Sequence, residues 1–311
     1  MRRREFIGSV LAASVASAAV GGWAEGEARR VRQAAPFTCD FAPHFGMFRE
    51  HGGGELEGEL EFMADQGFRS LEDNGMKNRS RAEQALIAST MSRLEMRMGV
   101  FVAHTIYWRE PNLASGDADK RAEFLAEIRE SVEVAKRVNA TWMTVVPGHE
   151  DLRQQPEFQM AHLVESLKQA TAILEPHGLV MVLEPLNPRS HPGLFLKRIP
   201  QAHMICKAVD SPACKILDDL FHQQITEGNL IPNLDAAWDE IAYFQIGDNP
   251  GRDEPTTGEI NFANVFQHIH DKGFEGIYGM EHGNSQPGRA GEMAVIEAYR
   301  SVDASSDRRA G

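Results

Sequence analysis

In this chain an oxygen-donor side chain stands where each of four successive short apolar runs ends. These are Glu184 in LVMVLEPLN, Asp219 in KILDDLFHQ, Gln245 in YFQIGDN and Glu281 in IYGMEHG. A buried carboxylate is costly unless it is paired, hydrogen-bonded or bound to a metal. Their recurrence at run ends therefore points to one shared polar site. Oxygen ligation with a carboxylate majority suits Mg²⁺ or Mn²⁺, with Co²⁺ also accommodated, better than a structural Zn²⁺. Taken singly, each residue has a plain structural use. A glutamate can pair with an arginine, Asp219 can cap a helix, and Gln245 can satisfy loop backbone groups.

The segment YFQIGDNPGRDEPTTGEINF, Tyr243 to Phe262, carries the densest signal. An apolar run feeds a turn-rich polar loop holding Asp248, Asn249, Gly251, Arg252, Glu254 and Glu259. The rigid guanidinium fork of Arg252 suits a substrate carboxylate or hydroxyl pair. His222 follows Asp219 by three residues, and His104 follows the run FVAHT, where its ring can reach a substrate hydroxyl. Glu72, His44, Trp108, Phe45, His149 and Glu150 also fall near run ends and rank lower, with loop or packing roles as their ordinary use. Neither HExxH nor GxSxG occurs, so zincin and α/β-hydrolase chemistries have no support.

Such residues need a scaffold that gathers strand ends. Apolar runs recur at 38–45, 69–72, 96–103, 142–146, 180–184, 215–219, 242–246 and 276–281. Continuous cores such as VMVLE suit parallel strands buried on both faces. Between them lie amphipathic helical stretches, with Phe124, Leu125, Ile128, Val132 and Ala135 along one stripe and Leu163, Leu167, Ala170 and Ile173 along another. Gly67, Gly178 and Gly273 each stand just past a helical stretch, where a left-handed cap is expected. Strand–helix alternation repeated eight times predicts an α/β fold, a (β/α)8 TIM barrel, spanning residues 35–300 as a single domain. The rival, an open doubly wound sheet, lacks a GxGxxG after its first strand.

A formal net charge of −13 over 311 residues argues against a nucleic-acid backbone as partner. It leaves a small anionic molecule open, because one local Arg or metal outweighs a distant, screened field. The three cysteines, Cys39, Cys206 and Cys214, show no CxxC spacing, and small buried apolar roles are expected for Cys206 and Cys214. Residues 1–34 read as an export signal and linker. Arg2, Arg3 and Arg4 precede an Ala-rich apolar run that is too short to span a membrane, and Arg3 to Gly8 (RREFIG) resembles a twin-arginine signal. Cleavage near Gly22-Trp23-Ala24 and an exported, extracytoplasmic mature protein without stable membrane insertion are the expectations. The polar segment 301–311 is expected to be a disordered tail.

Glu184-Pro-Leu-Asn, Asp219-Leu-Phe-His222, the stretch from Gln245 to Arg252, Gly258-Glu-Ile-Asn and Gly-Met-Glu281 together resemble the hydroxypyruvate isomerase group of the xylose-isomerase-like TIM barrels, a superfamily that also holds ketose 3-epimerases. The resemblance covers essentially the whole mature chain. It implies one divalent cation held by Glu184, Asp219, Gln245 and Glu281, with Glu184 and Glu281 also serving as acid and base. His222 and Arg252 become substrate contacts. The implied reaction moves a carbonyl to a neighbouring carbon of a small hydroxy-carbonyl substrate through an enediolate. Two departures stand out. Export separates this chain from the cytoplasmic members of that group, so its natural substrate can be another hydroxy-carbonyl acid or a sugar. The segment NPRSHPGLFL after Glu184 also places His191 where it can alter the substrate wall. A ketose 3-epimerase using the same glutamates and an exported sugar- or metal-binding barrel without turnover remain alternatives. The usual His at the third ligand position of the epimerases favours the isomerase for a chain with Gln245. A homo-oligomer is compatible with the sequence.

Overall fold

The computed structural model describes residues 34–305. Eight short strands alternate with helices: β1 (Asp40–Ala42), β2 (Ser70–Leu71), β3 (Arg97–Met98), β4 (Trp142–Val145), β5 (Val180–Leu183), β6 (Cys214–Asp219), β7 (Ile241–Gln245) and β8 (Ile277–Gly279). Six of them pair in the order β1-β8-β7-β6-β5-β4, and β2 pairs with β3, in parallel throughout. The parallel bridge His44↔Glu72 joins β1 to β2, and Met98↔Ala140 and Val102↔Thr144 join β3 to β4. The sheet closes on itself as the α/β (β/α)8 barrel expected from the alternation.

Every expected strand is present, and all but β6 and β7 are shorter than their apolar runs. β3 shows why. Gly99 lacks a Cβ where one would overlap the Tyr243 hydroxyl. The next amide, that of Val100, donates to that hydroxyl (3.4 Å) instead of to a neighbouring strand. The ladder resumes at Ala103, whose N–H donates to the Thr144 carbonyl (3.0 Å).

The core has two compartments that follow the period of two along the strands. Ala42, Val100, Val182, Leu217, Tyr243 and Ile277 form one small cluster. Their chain neighbours Phe41, Met181, Leu183, Ile216, Phe244 and Tyr278 belong to a larger cluster shared with the helices. The small cluster is therefore the barrel lumen, and the larger one is the strand–helix shell. Among the shell helices, α1 (Leu56–Asp65), α2 (Arg81–Arg93), α3 (Ala118–Val138), α4 (Pro156–Leu174) and α5 (Ile199–Val209) follow β1 to β5. Further on come α6 (Leu220–Thr226), α7 (Leu230–Ala237), α8 (Phe262–Asp271) and α9 (Gly288–Val302). Gly67, Gly178 and Gly273 adopt φ of +88°, +64° and +80°, the left-handed caps expected after their helices.

The carboxyl end departs from expectation. α9 continues through Ser301 and Val302, and Ala304 is buried. The Asp303 carboxylate accepts the Thr38 and Cys39 amides at 2.7 and 3.0 Å, tying residues 301–305 to the entrance of β1. Polarity misled here because one aspartate satisfies two strand-entry donors. The expected export signal and twin-arginine motif, apart from residue 34, and the remainder of the tail lie outside the described residues. Among the described residues no helix is long and apolar enough to cross a membrane. All three cysteines are free and buried.

Candidate active site at the strand ends

Glu184 follows β5 directly, Asp219 ends β6 and Gln245 ends β7, while Glu281 lies two residues beyond β8. The barrel register thus carries all four to the carboxyl rim. Glu184, Asp219 and His222 present ligand-type atoms within 4.8 Å of one another, all three residues buried. Asp219 is also a helix cap. Its Oδ1 accepts the amides of Phe221 (2.8 Å) and His222 (3.3 Å) at the start of α6, leaving Oδ2 for the site. The three-residue spacing of Asp219 and His222 follows from this cap. The first turn of α6 brings the imidazole Nε2 to 3.4 Å from Asp219 Oδ2 and 3.8 Å from Glu184 Oε1.

Glu281 stands apart from that trio and is joined to it by Arg252. The Arg252 Nη2 donates to Glu281 Oε2 (2.7 Å) and Asp219 Oδ2 (3.2 Å), and its Nε donates to the Glu281 carbonyl (3.2 Å). Asn74, two residues past Glu72, donates to the other Glu281 oxygen at 2.8 Å. The guanidinium also lies over the Phe221 ring, 4.9 Å from its centroid. Arg252 takes a left-handed φ of +57°, a conformation costing about 1 kcal/mol or more in a residue with a Cβ. The loop over-determines that conformation. Asp248 is fully buried and accepts the amides of Asn249 (2.9 Å), Ile260 (3.1 Å) and Gly258 (2.8 Å), while its carbonyl takes the Arg252 amide (2.7 Å). A Cβ at Gly258 would overlap the Asn249 carbonyl. Most acids of this conspicuous loop are thus scaffold. Asp248 knits it, Glu254 accepts from the Ser285 amide (2.9 Å) and hydroxyl, and Glu259 takes Asn249 (2.5 Å) and Gln224 (3.1 Å). Arg252 is what the scaffold presents.

Gln245 is fully buried at the head of the lumen. Its Nε2 donates to Glu72 Oε1 (2.8 Å), and the other Glu72 oxygen accepts the Tyr243 hydroxyl (2.9 Å). That leaves Gln245 Oε1 buried with no hydrogen-bond partner among the described residues. An unpaired buried carbonyl is costly, and ligation of a hard cation is one use that relieves it. The surrounding charges agree. Glu184, Asp219 and Glu281 face a single guanidinium, so the acidic groups crowd one another. Burial, then Glu281 and Asp219, push Glu184 well above the usual carboxylate range. Burial lifts Glu281 to about 7, with Arg252 opposing and Asp219 adding to the rise. Burial and then Glu281 raise Glu72 strongly. For Arg252, burial disfavours the charge, but Asp219, Glu281 and Glu184 outweigh it. Glu184, Asp219 and His222 lie close enough together to share a metal ion, and the Gln245 carbonyl adds an oxygen donor at the same rim.

His222 and Arg252 are brought to the carboxylates, and His104 is not. Its Nε2 accepts the Val146 amide (3.3 Å), its ring meets Phe124 edge-on at 5.0 Å, and burial lowers it to about 4. It serves the β3–β4 wall. Trp108, 45% exposed, stacks on His191 at 5.1 Å, and His191 lies 5.4 Å from the His222 ring, so this row does form a wall beside the site. Phe45 instead packs under Arg79. His44 bridges the Phe45 and His282 carbonyls. Sequence reasoning gave no role to Asn74, nor to Asn187 beyond its place in Glu184-Pro-Leu-Asn. Both are neutral amides in turns, with nothing local to mark what they would meet across the barrel.

The xylose isomerase-like TIM barrel family matches residues 60–302, and the chain belongs to that family. Hydroxypyruvate isomerase of Escherichia coli K12 is 30% identical over 184 residues, covering 58% of this chain and 70% of that protein. A human protein provisionally named hydroxypyruvate isomerase is 32% identical over 170 residues, 52% of this chain, and the match spans 61% of the length of that relative. Among solved structures, an AP endonuclease of family 2 from Brucella melitensis superposes with a TM-score of 0.74 at 21% identity, covering 85% of this chain and 99% of that one. This last likeness concerns the fold alone.

Proposed function

We propose that this chain is an isomerase of small hydroxy-carbonyl compounds, hydroxypyruvate- or sugar-like, that depends on one divalent cation and uses Glu184 and Glu281 as acid and base. The observation that carries the proposal is the pair itself. Two carboxylates from the end of β5 and from beyond β8 are tied into one cluster through Arg252 and Asp219, and burial raises both above the usual carboxylate range, Glu281 to about 7. A group that titrates near neutrality can both take and return a proton. A binding site alone has no need of two such groups. The names of the relatives support the same class of reaction.

In this reading one glutamate removes the proton from the carbon next to the carbonyl and the other group returns a proton to the neighbouring carbon. A bound cation supplies stabilisation of the charge that develops on the two adjacent oxygens. Arg252 Nη1 makes no hydrogen bond among the described residues and is placed to anchor a substrate carboxylate or hydroxyl. The Trp108–His191 row closes one side. The basic and apolar leader supports action outside the cytoplasm.

The test is deuterium wash-in by NMR. Mature protein loaded with Mg²⁺ or Mn²⁺ is incubated in D₂O with hydroxypyruvate and a panel of ketoses. Exchange at the carbon beside the carbonyl is expected, with the product separating carbonyl migration from inversion at one carbon. Glu184→Gln and Glu281→Gln should each slow exchange by about 10²- to 10⁴-fold. Undiminished exchange in either variant would remove the two-glutamate mechanism. No exchange on any compound would favour a binding barrel.

A further inference from the structure

We propose that Asn187 is a positioning residue that locks His222 in the Nε2–H tautomer, so that His222 offers the site a hydrogen-bond donor and not a metal ligand. Asn187 stands three residues after Glu184 and is fully buried. Its Nδ2 lies 2.6 Å from His222 Nδ1, and its backbone N–H also reaches Nδ1, at 3.4 Å. The amide orientation is fixed independently, because the Ser190 N–H donates to Asn187 Oδ1 at 2.7 Å. The atom facing the imidazole is therefore the NH₂. Two donors aimed at one ring nitrogen require it to be the acceptor, and a neutral imidazole then carries its hydrogen on the other nitrogen.

That other nitrogen faces acceptors, Asp219 Oδ2 at 3.4 Å and Glu184 Oε1 at 3.8 Å. Arg252 Nη2 also approaches Nε2, at 3.4 Å, but it is a donor already engaged by the Glu281 and Asp219 carboxylates at 2.7 and 3.2 Å. With its hydrogen in place, Nε2 has no in-plane lone pair for a cation, although His222 clusters with Glu184 and Asp219. The ligand role passes to the unpaired Gln245 carbonyl. On the reading proposed above, the Nε2–H is then the donor to a substrate oxygen. Metal-site histidines commonly give their outer N–H to a carboxylate or carbonyl, which leaves the inner nitrogen free to ligate. Asn187 has the opposite polarity.

The test is long-range ¹H–¹⁵N correlation NMR on the full chain, ¹⁵N-labelled and free of metal, near neutral pH. His222 signals are identified by their loss in His222→Gln. The expected pattern is a pyridine-type Nδ1 and a pyrrole-type Nε2. The reverse pattern, or a doubly protonated ring, would overturn the proposal. In Asn187→Asp the carboxylate should accept from Nδ1–H and reverse the pattern. An unchanged pattern in a folded Asn187→Asp protein would show that the amide does not set the tautomer. If that variant does not fold, the wild-type spectrum still decides. No turnover enters this measurement, so its failure is distinguishable from failure of the isomerase reading.

Discussion

A single methyl group should test how the barrel lumen supports the rim. Gly279 ends β8, and a Cβ there would overlap the buried Glu72 carboxylate, with Gln245 Cγ at 3.2 Å on the other side. The backbone is held by β-pairing to β1 and β7, so in Gly279→Ala the carboxylate must move. Overpacking of this kind costs about 1–3 kcal/mol. Displacing Glu72 also frees the Tyr243 hydroxyl and the Gln245 amide, and each buried group left unpaired adds about 1–3 kcal/mol. A total of about 3–9 kcal/mol corresponds to a melting temperature lower by about 5–15 °C in a protein of this size. With its anchor gone, Gln245 no longer holds its carbonyl toward the site, and Mn²⁺ affinity should fall about 10- to 100-fold, as for other outer partners of metal ligands. Calorimetric melting of metal-free protein and titration with Mn²⁺ read the two effects separately. Adding Glu72→Ala to Gly279→Ala removes the overlap and should recover part of the melting temperature while leaving Mn²⁺ affinity low. A Gly279→Ala protein that melts and binds Mn²⁺ like the wild type would refute the reasoning.

Other consequences are open to direct measurement. Arg252→Ala removes a charged hydrogen-bond donor worth about 1.5–3 kcal/mol, and KM for an acidic substrate should rise about ten- to hundredfold with a smaller change in kcat, as read from initial rates. His104 is held to about 4 against an ordinary 6.5 by burial, so below pH 6.5 the unfolded chain takes up a proton that the folded one refuses. Stability from this source is complete above pH 6.5 and drains away as pH falls toward 4; urea unfolding should show about 2 kcal/mol lost between about pH 7 and 5, and less in a folded His104→Gln variant. His282, lowered to about 4 by burial and bonded to the Tyr299 hydroxyl (2.8 Å), adds a loss of the same sign. Replacing Arg3 and Arg4 together by lysine should retain the protein in the cytoplasm, scored by fractionation, if the leader is read by the twin-arginine route.

The barrel could be read in the sequence because its signals are local. Strands such as β5 are continuous apolar runs, and the helical stretches before Gly67, Gly178 and Gly273 end at a glycine with a left-handed φ. Glu184, Asp219, Gln245 and Glu281 were visible for the same reason, as polar residues at the exact end of such runs. What escaped depends on closure. Glu72 meets Gln245, Asn74 meets Glu281 and Asn187 meets His222 only once distant segments share a rim, and nothing beside an asparagine in a turn reveals its partner. The loop from Asp248 to Glu259 misled in another way. Buried backbone donors need acceptors as much as substrates do, so most of its acids are spent on the loop itself. The contacts of His104, the Val146 amide and the Phe124 ring, are likewise not specified by its place at a strand end. At 301–305 polarity is no sign of disorder, because Asp303 accepts the Thr38 and Cys39 amides.

The pairing of β1 with β8, reinforced by Asp303 on Thr38 and Cys39, sets an order on how this protein can come into being. The first strand made by the ribosome waits for the last one before its edge is covered, and the final cap is supplied only after residue 303 is synthesised. Until then the growing chain exposes an open parallel edge, the kind of surface that pairs with the wrong neighbour. Ring closure thus brings together residues 264 and 265 positions apart. A chain cut after Val302 would lack Asp303 and have a weaker seam at which the circle is joined.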